Sequence, residues 1–177
     1  NEGNIRLQST TGDIELGRLN TGGSTADVAI LADAGSIFDQ ESGVVDIQTD
    51  VALLQANGDI GTAADFIELS ANALALDADG TNGVFLNEAD SIGTAAASLS
   101  VNRVGLNGNT SATTADTLAV LDSAGVLVLR THNGGITIDH PTTAAANIRL
   151  ESGETGEVTE DDTDDVTINA TVTSTTG

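Results

Sequence analysis

Apolar residues alternate in runs of only three residues between Val44 and Gly80: Val45-x-Ile47, Val51-x-Leu53, Ile67-x-Leu69 and Leu74-x-Leu76. Period two is the mark of a half-buried strand. Between the triplets stand Gly, Asn, Asp and Ala, which turn corners. Strands this short do not make an independent sandwich. They suit a chain that turns every few residues and stacks on itself, its levels joined by backbone hydrogen bonds. The expectation is an all-β fold, a parallel β-helix or β-solenoid.

Charge narrows the partners. Of 177 residues, 27 are acidic and 5 basic, and all five of the latter are Arg, for a formal charge of −22. Nucleic acid and anionic membranes both need a cationic surface, so neither is an expected partner. Such a surface attracts divalent cations instead. No run reaches the roughly 18 apolar residues of a membrane span, so direct membrane insertion is not expected. Cys is absent, which removes a disulfide framework and thiolate metal sites. Phe38, Phe66 and Phe85 are the sole aromatics. A conventional globular core would carry more large side chains, whereas a thin solenoid core can be filled by Val, Ile, Leu and Ala. The chain opens on Asn1, and residues 1–177 read as a single solenoid segment, a piece of a longer repeat-containing chain.

The spacing predicts about eight irregular rungs, averaging about 22 residues. They are expected at 4–27, 28–43, 44–65, 66–97, 98–116, 117–146, 147–165 and from Val166 onward. Corner insertions are expected at 81–90 and around His132. The endings GDIGTAAD and DSIGTAAA, 32 residues apart, match Ile60 to Ile92. NIRLQS at 4–9 recurs as NIRLES at 147–152, an offset of 143 that suggests a long-period repeat. Inward positions are expected at Ile5, Leu7, Ile47, Ile67, Leu69, Val120, Ile138, Ile148, Leu150 and Ile168.

The steps Gly12-Asp13-Ile14, Gly35-Ser36-Ile37, Gly58-Asp59-Ile60 and Gly135-Ile136, with their NIRL and FIEL partners, form a degenerate repeat across most of the chain. This pattern resembles the repeats of filamentous haemagglutinin-like exoproteins and related giant bacterial surface adhesins. The resemblance implies a right-handed parallel β-helix, exported across a bacterial envelope to the cell surface. There it would form a shaft or display surface. Its partners would be other copies stacked end to end, surface glycans, or cells.

Two acidic stretches are candidate calcium sites. Asp77, Asp79 and Asn82 lie in DADGTNG, where alternating oxygen side chains beside Gly suit a hard cation. Asp161, Asp162, Asp164 and Asp165 lie in the run Glu160–Asp165. For each stretch the plainer reading, a polar, solvated turn, is preferred. No cofactor beyond calcium is expected. His132 and His140 flank Gly134-Gly135-Ile136 and lack a third ligand at suitable spacing. No nucleophile elbow, phosphate loop or zinc motif occurs, so no catalytic residue is assigned. The rival reading is a secreted β-helix enzyme that degrades polysaccharide, a lyase or glycosidase. Such enzymes gather carboxylates on one face, and carboxylates are plentiful here. Aromatic sugar platforms are not, since Trp and Tyr are absent. An ice-binding solenoid would show a ladder of Thr-x-Thr, and Thr171-x-Thr173 is the one clear instance.

Both ends read as unfinished. Ile5-x-Leu7 at the start and Val166-x-Ile168 near the finish are full strand patterns with no capping helix. Terminal rungs of a solenoid expose unpaired backbone and open core. The chain is therefore expected to continue, or to stack on another copy.

Overall fold

The computed structural model describes residues 3–22, 25–104, 106–112, 116–153 and 164–176. These hold twenty strands and no helix. In order they are β1 (Ile5–Ser9), β2 (Ile14–Leu16), β3 (Leu19–Asn20), β4 (Val28–Ala32), β5 (Ile37–Asp39), β6 (Ile47–Ala56) and β7 (Ile67–Ala78). Then come β8 (Gly83–Glu88), β9 (Ile92–Thr94), β10 (Ala97–Leu99), β11 (Asn102–Val104), β12 (Thr110–Ala112) and β13 (Asp116–Leu118). Last are β14 (Leu121–Ser123), β15 (Val126–Thr131), β16 (Ile136–Ile138), β17 (Thr142–Ala144), β18 (Ile148–Glu151), β19 (Val166–Ile168) and β20 (Val172–Ser174).

Fourteen of these strands join in one large sheet, and no sheet is closed. Its longest path runs β1-β4-β6-β7-β14-β17-β20, and every pairing along it is parallel. Ile5 pairs with Val28, Val28 with Ala52 and Ala52 with Leu74, steps of 23, 24 and 22 residues. A parallel partner needs a crossover of at least about a dozen residues, and these steps supply it. A second column runs Ile14, Ile37, Ile60, Val84, Leu127 and Ile148. A third carries Ile92, Ile136 and Val166.

Because the register holds level after level, like side chains stack. Ile30, Leu54, Leu76 and Leu121 form one fully buried row, with Leu7 half-buried at its end. Burying each such side chain contributes roughly 1.5–3 kcal/mol. The core is built almost wholly from Ile, Leu, Val and Ala, as the composition requires.

The Gly-Asp/Ser-Ile steps explain how the corner is made. Ile14, Ile37 and Ile60 enter the core. The middle residue reaches one level on. Asp13 Oδ1 accepts the Ser36 N–H at 2.8 Å, and Ser36 Oγ accepts the Asp59 N–H at 3.0 Å. Asp59 in turn accepts from Asn82 and Gly83. Gly35, Gly58 and Gly80 lie against the preceding level: a Cβ on Gly80 would overlap the Gly58 backbone and Asp59. No side chain larger than hydrogen fits at these three positions.

The described residues of segment 98–116, expected as a fifth rung, leave the stack. Two antiparallel pairs form there, β10 with β13 and β11 with β12. Leu76 consequently pairs with Leu121, 45 residues on. Ala97 and Leu99 pack with the outward residues Ala29, Leu31, Leu53 and Ala75 as a second apolar cluster. This cover is why β4 is buried on both faces. Arg6 ties the excursion down through two bonds to the Asp116 carboxylate, at 2.5 and 3.1 Å.

Other expectations change with this. The longest column is seven strands deep among the described residues, rather than about eight. Segment 81–90 is no insertion, since β8 stands in the second column. Ile60 and Ile92 fall in different columns, and so do Ile5 and Ile148, so neither sequence repeat is a structural one. Leu121, not Val120, takes the inward place, because it is the residue in register with Leu76. Ile168 is 54% exposed, for β19 pairs only with β16 among the described residues. Ile47, Ile67, Leu69 and Ile138 are fully buried as expected, while Ile5, Leu7, Ile148 and Leu150 are partly so.

Candidate metal centre

Asp77 and Asp79 come together with a third carboxylate that the spacing did not single out. They line a shallow cleft of about 160 Å³ with Asp122, Ser123 and Thr143. Asp122 is there because it pairs with Asp77 in the sheet. Partial burial raises the Asp77 pKa, and the charges of Asp79 and Asp122 add to this. Asn82 is engaged elsewhere: its backbone N–H and its side-chain amide both donate to Asp59, at 3.0 and 2.8 Å.

Asp161 and Asp162 lie outside the described residues. Asp164 Oδ1 accepts the Gly134 N–H at 2.9 Å, and its carbonyl accepts from Ser152. Asp165 is exposed, and its carbonyl accepts the Ile136 N–H at 3.0 Å. Asp164 therefore links segments through its side chain and its carbonyl, and Asp165 through its carbonyl alone. His140 Nδ1 lies 3.1 Å from the Thr94 carbonyl, a contact within the stack.

A different trio has the geometry of a metal centre. Oxygens of Asp39, Asp46 and Glu68 lie within 4.8 Å of one another, and no other group of three acids or His does so among the described residues. Asp39 closes β5, Asp46 precedes β6, and Glu68 is the second residue of β7. The stack aligns the last two: the Asp46 N–H donates to the Glu68 carbonyl at 2.9 Å, and the Glu68 N–H donates to Asp46 Oδ2 at 2.9 Å. Asp39 Oδ1 accepts the Glu41 N–H at 2.7 Å, which fixes its rotamer.

The remaining oxygens have no protein partner. Asp39 Oδ2, Asp46 Oδ1 and Glu68 Oε2 are all buried without a hydrogen bond. None of the three residues pairs with an Arg among the described residues. Asp46 is 0% exposed. Burial pushes its pKa up to about 8, against the pull of the Glu68 N–H, and Asp39 pushes it further the same way. Glu68 is raised too, by burial and then by Asp39. In the protein alone the trio is a concentration of negative charge with nothing to neutralise it but protons.

The sequence reading missed these residues because 39, 46 and 68 share no local motif. The signal was the level step: Val45-Asp46-Ile47 and Ile67-Glu68-Leu69 are like triplets 22 residues apart, so their middle acids become neighbours.

Glu88 is a second buried acid, 0% exposed at the wall of a groove of about 460 Å³ that also holds Asn72, Asp90 and Ser91. Burial raises its pKa to about 7, although the amides of Asp90, Ala71 and Ala89 donate to it and oppose the shift.

No family model, curated protein or solved structure matches this chain.

Proposed function

We propose that the chain is a segment of a right-handed parallel β-solenoid, a structural and adhesive shaft of a large extracellular protein on a bacterial surface. The observation that carries this reading is the gradient of burial along the columns. Ile30, Leu54 and Leu76 are fully buried in the middle. Ile5, Leu7, Ile14 and Leu19 at one end, and Ile148, Leu150 and Val172 at the other, are only partly covered. Among the described residues β1 pairs only with β4, and β20 only with β17. Such edges invite further strands. A further level of the same polypeptide, or another copy stacked head to tail, would cover both. The second arrangement is heterologous and propagates into a filament. The right hand follows from the strong preference of parallel crossovers.

Beads coated with the chain should hold to immobilised surface glycans or to cells, and should leave acidic polysaccharides uncut. Beads that bind nothing would count against the adhesive part of the proposal.

One observation favours the rival, a secreted β-helix polysaccharide-degrading enzyme. Glu88 is an acid held near neutrality in a groove beside Asp90, a setting that suits general acid catalysis. Against it, backbone amides already occupy both Glu88 oxygens. Shortening of a polysaccharide that Glu88→Gln abolishes would favour the enzyme.

A further inference from the structure

We infer that Asp39, Asp46 and Glu68 form a calcium site that locks the loop 40–45 onto the neighbouring level of the stack. The inference goes beyond the shaft reading and does not depend on it. Three facts meet here. The three side chains offer oxygen alone, the ligand of hard cations. Their oxygens lie within 4.8 Å of one another. Two oxygens bound to one calcium at about 2.4 Å stand no more than about 4.8 Å apart, a limit that every pair of the trio meets.

The second, independent observation is Asp46 itself. It is 0% exposed, its Oδ1 is buried with no hydrogen-bond partner, and one of its oxygens lies within 4.8 Å of oxygens of the other two acids. Buried polar atoms are nearly always satisfied, and a buried carboxylate oxygen left over is costly. Asp39 Oδ2 and Glu68 Oε2 are left over in the same way. Three orphan acceptors on three clustered acids need a donor or a cation, and no Arg pairs with these acids among the described residues. Two of the carboxylates have their other oxygen oriented by the protein, Asp39 by the Glu41 N–H and Asp46 by the Glu68 N–H. Such outer bonds fix a ligand before the metal arrives.

The position gives the ion a task. Asp39 and Asp46 stand at the two ends of loop 40–45, and Glu68 stands on the next level. An ion among them would close the loop and join two levels. Calcium is favoured over magnesium because three carboxylates of unequal reach suit its flexible coordination, completed by water or carbonyls.

The test is calorimetric titration of calcium chloride into the 177-residue chain stripped of metal by a chelating resin. Asp39→Asn, Asp46→Asn and Glu68→Gln are titrated beside it, with Asp33→Asn as a control at an exposed acid outside every acidic cluster described above. The wild type should bind calcium, each of the three substitutions should weaken that binding by about tenfold or more, and Asp33→Asn should leave it unchanged. Melting temperature in millimolar calcium should exceed that in chelator at matched ionic strength, and the difference should vanish in Asp46→Asn. Asp46→Asn places a neutral side chain of similar size at a buried position and should fold; should it fail to, Asp39→Asn and Glu68→Gln carry the test. A wild type that binds no calcium, or three variants that bind it as tightly as the wild type, would overturn the inference. Either result leaves the shaft reading standing, since that rests on the columns.

Discussion

Asp59 Oδ1 accepts the backbone N–H of Asn82 at 3.0 Å and that of Gly83 at 2.9 Å, one level further along the stack. Its Oδ2 accepts the Asn82 side-chain amide at 2.8 Å. One carboxylate thus carries three bonds between levels at the corner where the chain turns. Asp59→Ala should cost about 2–4 kcal/mol, since hydrogen bonds to charged groups contribute roughly 1.5–3 kcal/mol each and are partly replaced by water here. Asp59→Asn should retain part of this. Urea denaturation of the three proteins gives the comparison, and an Asp59→Ala protein as stable as wild type would contradict the ladder.

The glycines of the same corner test the stacking directly. Gly58 and Gly80 each lie against the level before, whereas a Cβ on Gly12 would meet nothing within 4 Å. Gly58→Ala and Gly80→Ala should each destabilise by several kcal/mol, in the range of overpacked sites. Gly12→Ala should stay within about 0.5 kcal/mol. Equal effects at Gly12 and Gly80 would show that the levels do not stack in this order.

Ile67 is fully buried in the first half of β7. Ile67→Asp would place an unpaired charge in the apolar core, and should unfold the chain or cost at least several kcal/mol. Circular dichroism with thermal melting would show it. Leu99→Ala, in the outer cluster, should cost about 2–5 kcal/mol. Hydrogen exchange should place that loss in 97–118, with the inner columns protected as before.

Glu88 sets a pH dependence. The folded chain keeps its proton up to about pH 7, whereas the unfolded chain releases it near 4.3. The stability it contributes is therefore full below about pH 4.3 and is lost as pH rises through 7, about 4 kcal/mol in all. Wild type minus Glu88→Gln, measured by urea denaturation at pH 5 and pH 8, isolates this loss from the other acids. A difference that does not change between the two pH values would contradict the assignment.

The sequence carried the parts of this architecture that repeat. Ile14, Ile37 and Ile60 share a column because Gly-Asp/Ser-Ile recurs every 23 residues, and each of its three residues has one task. The excursion at 98–116 was not legible, because β10 and β13 show the same short alternation as the stack. Only the partner decides whether such a triplet lies inside or covers the outside, and Ala29, Leu31 and Leu53 revealed that partner just by being apolar on their outer face. The NIRL repeat misled for a similar reason: a strand of this composition fits either column. Among the site residues, Asp77 and Asp79 were legible as an acidic pair, but Asp122 joined them through a step of 45 residues that no local pattern encodes. Asp39, Asp46 and Glu68 needed the register before they could be seen as neighbours.

The most direct test of the shaft is sedimentation velocity of the purified 177-residue chain over a wide range of concentration. The partly covered rows at Ile5 and Leu7 and at Ile148, Leu150 and Val172 predict elongated species that grow in number and length as concentration rises. A single compact monomer at every concentration would show that both ends of the stack are closed, and would contradict the proposal.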